Sequence, residues 1–143
     1  MEEGVAVNRE LELARELLED ARLLLAQGRC RSAVSRAYYT AYHACVALLE
    51  SFGLRPGNYT GRSGRPASRW EHGIVTAAVA ADSQLSGVLT RPIALQLRWQ
   101  YAQRIRSDYR VHETISAMTA PTSVGLAEPI IADVEGCLRA QHP

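Results

Sequence analysis

The sequence predicts an all-α protein, an up-and-down bundle of about five helices. Along several segments apolar residues recur at spacings of three and four, as on one face of a helix, and strand-type alternation is absent. Hydrophobic residues make up 47% of the 143 positions, which is enough for a core in one domain covering residues 1–143. Ala and Leu are plentiful, whereas there are one Phe and two Trp, a composition that favours helix over sheet.

The segment 31–52 is predicted to be the central helix. It contains no Gly or Pro and is about six turns long. One stripe is apolar and built largely of small residues, which let a partner backbone come close: Ala33, Ala37, Ala41, Ala44, Cys45, Leu48 and Phe52. A second stripe is polar: Arg36, Tyr39, Thr40 and His43. This polar line either faces something specific or is a buried, hydrogen-bonded line that orients the helix.

The helix before it is predicted to run from Asn8, a good N-cap, to Gly28, a natural C-cap residue. The very short link to the central helix predicts an antiparallel hairpin. After the central helix, residues 53–68 have the composition of a loop, with four Gly and two Pro. A phosphate-binding loop is excluded because there is no GK[ST] ending. The loop and its border carry Arg55, Arg62, Arg65 and Arg69, and they form either a nucleic-acid contact or a solvated linker.

Three further helices are predicted. The third runs from about Arg69 to Ser83, with Ser68 as its cap and Glu71 completing a capping box. The fourth runs from about Thr90 to Tyr109, with one apolar face. That face contains Leu95, Trp99, Ala102, Ile105 and Tyr109. The last helix begins at Thr122 or Ser123 and ends near Ala140, and Pro129 either kinks it or marks its true start.

The net charge of +1 hides an uneven distribution. Residues 55–110 carry nine Arg against three acids, while residues 1–54 carry six Arg against eight acids and residues 111–143 one against four. A basic middle suits a polyanion such as nucleic acid. Three Cys without CxxC spacing, the absence of a signal segment and the absence of a long apolar run predict a cytoplasmic protein without membrane span. The scattered His residues predict no metal site, and no cofactor is expected.

The segment 103–112, QRIRSDYRVH, is the remaining candidate for chemistry. Five residues separate Arg106 from His112, so the two side chains converge only if the helix ends or bends near Tyr109. A histidine can move the proton of an RNA 2′-hydroxyl or leaving group, and an arginine can hold the scissile phosphate. Such cleavage needs no metal, because RNA supplies its own nucleophile.

The opening hairpin, LELARELLEDARLLLAQGRCRSAVSRAYYTAYHACVALLESFG, resembles the HEPN superfamily of small helical domains from prokaryotic toxin–antitoxin and defence systems. The blocks LLEDARLLL, SRAYYTAYHA, His72 and RIRSDY match in order, and the resemblance covers essentially the whole chain. It implies a homodimer in which Arg and His of both subunits meet in one cleft. Arg106 and His112 fit the spacing of the family's catalytic signature, although Ser107 stands where active members commonly have Asn, Asp or His. Asp108 and Tyr109 would support them.

The resemblance therefore implies a toxin that is a metal-independent endoribonuclease. One branch of the family keeps the Arg-x-x-Asp-Tyr pattern of Arg106 to Tyr109 without needing the His. It implies the alternative, a non-catalytic module that binds nucleotide or partners a minimal nucleotidyltransferase antitoxin. Such an antitoxin can modify a Tyr near the motif, and Tyr109 is the candidate. A third hypothesis is a structural interaction bundle that uses the Ala-rich stripe, and His72 is interpreted as structural.

Overall fold

The computed structural model describes residues 2–81 and 93–141, and within them the protein is an all-α bundle, as predicted. Five α-helices lie in these ranges: α1 (Glu2–Ala26), α2 (Cys30–Ser51), α3 (His72–Ala81), α4 (Ile93–Tyr109) and α5 (Thr119–Gln141). Between α2 and α3 there is a 3-10 turn, Pro56–Asn58, and an isolated antiparallel bridge joins Thr60 to Pro66. None of the helices in the described ranges has the length and apolarity that crossing a bilayer requires.

Helix α2 is the centre of the bundle and contacts each of the other four helices. The predicted small-residue stripe is its core face, since Ala33, Ala37, Ala41 and Ala44 are all fully buried. Small side chains allow α1 and α5 to pack closely on both sides of α2. The larger buried side chains complete one continuous core: Leu48, Leu49, Ile93, Leu97 and Ile130.

The hairpin of α1 and α2 forms as predicted, and Gly28 makes the turn. Gly28 has φ +74°, a left-handed conformation that L residues with a side chain rarely adopt. Its N–H donates to Leu25 O at 3.0 Å, and the N–H of Arg29 donates to Leu24 O at 2.9 Å. This is a Schellman motif, and it satisfies the last carbonyls of α1 while reversing the chain.

The predicted starts of the first and third helices are wrong. Helix α1 begins at Glu2, so Asn8 lies inside the helix and does not cap it. The part of α1 before Asn8 is stabilised by Val7, which is 8% exposed and packs into the core. Helix α3 begins at His72 and not at Arg69. Tertiary contact explains the later start, because the hydroxyl of Tyr42 donates a hydrogen bond to the carbonyl of Trp70 and fixes the preceding segment.

The prediction for α4 is wrong about its buried face. Leu95 and Tyr109 are 63% and 66% exposed, whereas Gln100 and Ser107 are among the buried residues of the helix. The predicted start at Thr90 lies outside the described residues, as does the predicted end of the third helix at Ser83. The side of α4 that faces α2 is therefore partly polar, and the apolar pattern of the sequence does not mark it.

Helix α5 begins at Thr119, before the predicted Thr122 or Ser123, and it continues through Pro129. Pro121 lies in its first turn, where a missing N–H breaks no helical hydrogen bond. Ile130 and Ile131, directly after Pro129, are 0% and 5% exposed. Burial of these two side chains stabilises the helix across the proline, as tertiary packing often overrides local propensity.

Candidate functional site

An open pocket of about 840 Å³ lies between α2, the loop after it, the start of α3 and the middle of α4. Its wall contains five of the six tyrosines of the chain. We call it the aromatic pocket and define it by Tyr38, Tyr39, Tyr42, Tyr59, Trp70, His72, Tyr101 and Arg104. The spacing explains part of this wall, since Tyr38 and Tyr42 are one helical turn apart on α2, and Tyr101 and Arg104 are three residues apart on α4.

His72, at the first position of α3, joins three helices in this wall. Its Nδ1 lies 2.9 Å from the hydroxyl of Tyr38, and its Nε2 lies 3.4 Å from the hydroxyl of Thr76. Its ring stacks on Tyr101 with 3.6 Å between the centroids. Burial, together with the charges of Arg104 and Arg98, lowers the pKa of His72 to about 4. At neutral pH the imidazole is therefore uncharged, and it acts as a hydrogen-bonding and stacking group.

Arg104 lies over the rings of four tyrosines. Its guanidinium carbon is 5.2 Å from the ring centroid of Tyr39, and between 5.6 and 6.0 Å from those of Tyr38, Tyr101 and Tyr109. These distances allow cation–π attraction. The side chain is 16% exposed, and its Nε donates to Asp108 Oδ2 at 3.2 Å. Its Nη2 lies 3.4 Å from the hydroxyl of Tyr109, and its remaining N–H donors reach no acceptor among the described residues.

Two phenols of the wall, those of Tyr38 and Tyr42, have raised pKa values. Burial raises the pKa of Tyr38 beyond its usual range, and it raises the pKa of Tyr42 to about 12. Tyr42 donates to the backbone of Trp70, while the indole Nε1 of Trp70 lies 3.2 Å from Glu50 Oε1. These hydrogen bonds fix this part of the wall.

The aromatic pocket has a positively charged lining. Arg62 and Arg69 line it together with Arg104, against one lining acid, Glu71. Within the described part of the chain, neither Arg62 nor Arg69 makes an ion pair. Of the arginines in the basic loop and at its border, Arg62 and Arg69 therefore line the aromatic pocket.

The predicted pair Arg106 and His112 lies outside this pocket, where α4 ends. The helix ends at Tyr109, as convergence of the two side chains requires, and His112 is exposed in the turn that follows. The turn brings Glu113 back to Arg106, and Arg106 Nε donates to Glu113 Oε2 at 3.0 Å. The same carboxylate lies 3.4 Å from Arg110 Nη1. Glu113, which directly follows His112 in the chain, therefore partly neutralises the charge of Arg106.

Arg31, on α2, holds this exit turn in place. Its Nη1 donates to the carbonyls of Arg106 and Ser107 at 3.1 and 3.0 Å, and it lies 3.4 Å from that of Arg110. Its Nη2 also donates to the carbonyl of Glu113. One guanidinium therefore joins four carbonyls of the helix end and the following turn, of which those of Arg106 and Arg110 also accept backbone N–H groups.

The two predicted supporting residues interact with Arg104 and not with Arg106. Asp108 accepts hydrogen bonds from Arg104 and from the hydroxyl of Ser35, which lies 3.2 Å from Oδ2. Tyr109 lies against Arg104 while remaining 66% exposed. Both residues therefore link the aromatic pocket to the end of α4.

The predicted polar line on α2 has three different environments. Tyr39 belongs to the aromatic pocket and lies under Arg104. His43 Nδ1 lies 2.6 Å from Glu10 Oε2 and connects α2 to α1. Arg36 is exposed, and only its backbone carbonyl is used, as the acceptor for Thr40. The line is therefore not one continuous hydrogen-bonded series.

Comparison with known proteins decides the family. The sequence profile described as "HEPN domain" matches residues 7–137, which is most of the chain. The chain belongs to the HEPN family. Two UPF0332 proteins are similar to the chain, one from Pyrococcus horikoshii with 40% identity over 55 residues and one from Thermotoga maritima with 46% identity over 48 residues. These matches cover 38% and 34% of this chain and 39% and 36% of the relatives, so each spans well under half of either protein.

Membership of the HEPN family supports a module of the nuclease- or nucleotide-related kind, and HEPN domains often dimerise. In this HEPN domain, sequence reasoning missed Arg104, Tyr101 and the role of His72. The spacing of Tyr101 and Arg104 on one helix face was a usable signal. Nothing local in the sequence, however, indicated that His72 would stack on a ring almost thirty residues further along the chain. Among the described residues, no group of three His, Cys, Asp or Glu could hold a metal ion.

Proposed function

We propose that the aromatic pocket binds a nucleotide, either free or as one unit of an RNA strand. The observation that carries this proposal is the position of Arg104, which lies over four tyrosine rings while keeping N–H donors unused at the pocket. A planar guanidinium pairs with phosphate through two parallel hydrogen bonds. Aromatic rings offer faces on which a base stacks, as in many proteins that bind single-stranded nucleic acid.

The size and charge of the aromatic pocket support the same ligand. A volume of about 840 Å³ is large enough for a nucleotide, since small-molecule sites typically measure roughly 300–1,000 Å³. Three arginines against one glutamate favour an anion. His72, with a pKa of about 4, is uncharged near neutral pH and is a weak base. These properties favour binding over acid–base catalysis inside the pocket.

The experiment is a calorimetric titration of the protein with nucleoside monophosphates and with short single-stranded RNA. Wild-type protein should bind, and Arg104→Lys should weaken binding by about tenfold, because an ammonium keeps the charge but loses the planar pairing. The matched control is Arg98→Lys, an exposed position on the same helix outside the pocket. Equal affinity in the Arg104 variant and the Arg98 variant would contradict the proposal.

A second candidate function is metal-independent RNA cleavage by Arg106 and His112 in the groove of a homodimer. The observation that favours it is the end of α4 at Tyr109, followed by a turn in which His112 is exposed. A cytoplasmic toxin of this kind would be controlled by a nucleotidyltransferase antitoxin, for which the exposed hydroxyl of Tyr109 is a suitable acceptor. RNA incubated with the protein in the presence of a chelator should be cut. His112→Ala should abolish this cleavage without dissociating the dimer.

A further inference from the structure

Among the residues that the structure describes, Glu71 is the one carboxylate in the wall of the aromatic pocket, and it is only partly exposed. Two arginines, Arg62 and Arg69, line the same pocket. Nevertheless, within residues 4–80 and 93–141 the carboxylate of Glu71 makes no ion pair and accepts no hydrogen bond. A carboxylate prefers hydrogen-bond donors, and here the donors must come from water or from a ligand.

The surrounding backbone holds Glu71 in this place. Its N–H donates to the carbonyl of Arg69 at 3.0 Å, and its carbonyl accepts from the N–H of Val75 at the start of α3. The loop crosses close to the side chain at Gly61, where an added Cβ would lie 3.3 Å from Glu71 Oε1. The acceptor is therefore positioned by the fold before any ligand arrives.

Two aromatic rings, those of Tyr59 and Trp70, line the same pocket as this carboxylate. Trp70 precedes Glu71 in the chain, and the ring centroids of Tyr59 and Trp70 are 5.9 Å apart. The indole N–H of Trp70 is already engaged by Glu50, so the indole offers its faces and not its donor. A base stacked on these rings lies in the same pocket as the carboxylate of Glu71.

We propose that the aromatic pocket selects guanine through the carboxylate of Glu71. Guanine presents two adjacent donors, N1–H and the 2-amino group, which match the two oxygens of a carboxylate. Adenine and cytosine present an acceptor beside their donor, and the acceptor is repelled by the carboxylate. Uracil has one N–H between two carbonyls. The inference rests on the proposed function, since it names the base that the same pocket takes.

The first test needs no variant. Wild-type protein is titrated with GMP, IMP and AMP, which differ only in the edge of the base. GMP should bind about tenfold more tightly than AMP, as is typical of a two-donor match to a base edge. IMP, which keeps N1–H but lacks the 2-amino group, should lie between them. Equal affinities for GMP and AMP would overturn the inference of guanine selection but leave the proposed nucleotide binding intact. If no nucleotide binds, both the guanine selection and the proposed nucleotide binding are wrong.

The second test is Glu71→Gln, which keeps the shape of the side chain but replaces one acceptor with a donor. The affinity for GMP should fall to that for AMP, while AMP binding changes little. The matched control is Glu128→Gln, an exposed glutamate on α5 that pairs with Arg22 and lies away from the pocket. A Glu71 variant that kept the preference of the wild type for GMP would overturn the inference.

Discussion

The ring planes of His72 and Tyr101 are 12° apart, so α3 and α4 meet through two stacked side chains at the wall of the aromatic pocket. The hydroxyl of Tyr38, on α2, lies 2.9 Å from the same imidazole. A charged imidazolium would be disfavoured here by burial and by the nearby guanidinium of Arg104. The neutral form of His72 is therefore part of the folded structure.

The stability of the protein should consequently fall on mild acidification. The pKa of His72 is lowered from 6.5 to about 4 in the fold, so between these pH values the unfolded chain binds more protons than the folded chain. The free energy of unfolding should lose about 1–2 kcal/mol between pH 7 and pH 4.5, a figure reduced for the partial solvent exposure of the ring. Urea unfolding at several pH values measures this loss of unfolding free energy.

The control for this pH dependence is His72→Gln, which removes the titrating group. The variant should be less stable than wild type at pH 7, because the stacking and the bond to Tyr38 are weakened. Its stability should nevertheless change less between pH 6.5 and 4.5 than that of the wild type. Parallel pH profiles for the two proteins would contradict the role assigned to His72.

Much of the fold follows from α2 alone. Ala33, Ala37, Ala41 and Ala44 repeat at helical spacing, and their burial was predictable because small apolar residues at that spacing make a close-packed helix face. The buried face of helix α4 could not be predicted in this way. Its side toward α2 contains Gln100 and Ser107 beside Arg104, and polar residues at these positions look like a solvent face in the sequence.

The candidate site was only partly predictable for a related reason. The end of α4 at Tyr109 was predicted from the apolar spacing along the helix, and it meets the condition under which Arg106 and His112 can converge. The aromatic pocket, by contrast, brings together residues from α2, α3 and α4 that are far apart in the chain. Ring stacking between His72 and Tyr101 depends on how two helices dock, and no local pattern encodes such docking.

The small-residue face of α2 gives a prediction about packing. Ala41 is fully buried, and Ala41→Leu adds volume where the neighbouring helices leave no space. The free energy of unfolding should fall by about 1–3 kcal/mol, as overpacking of a core typically costs. The same change at exposed Ala102 on α4 is the control, and it should have almost no effect. Similar losses for both variants in chemical denaturation would argue against close packing around α2.

Arg31 gives a prediction about the exit turn. Arg31→Lys removes the guanidinium that donates to the carbonyls of Arg106 and Ser107, and the single ammonium of a lysine cannot reach the same carbonyls. Stability should fall by about 1–3 kcal/mol, the usual size for hydrogen bonds from a charged group. Hydrogen exchange should also accelerate at residues 106–113. Arg29→Lys, at an exposed position two residues earlier, should leave both measurements unchanged.

The last prediction concerns Glu113, whose carboxylate accepts a hydrogen bond from Arg106 Nε at 3.0 Å. The hydrogen bond from Arg106 lowers the pKa of Glu113, so the carboxylate remains charged at neutral pH and competes with any phosphate for that guanidinium. If Arg106 and His112 cut RNA, Glu113→Gln should lower the KM for RNA by about two- to fivefold, a modest change because the pair is exposed. Initial rates of cleavage in chelator, measured over a range of RNA concentrations, test this.

Two further variants decide how such a result is interpreted. Glu128→Gln removes a comparable exposed carboxylate, one that pairs with Arg22 on α1, and it should leave the KM unchanged. Combining Glu113→Gln with His112→Ala should abolish cleavage, because a freed guanidinium holds the phosphate but moves no proton. Cleavage that survives in the double variant would exclude His112 as the proton carrier. A higher KM in Glu113→Gln would mean that this carboxylate positions Arg106 for the phosphate and does not compete with it.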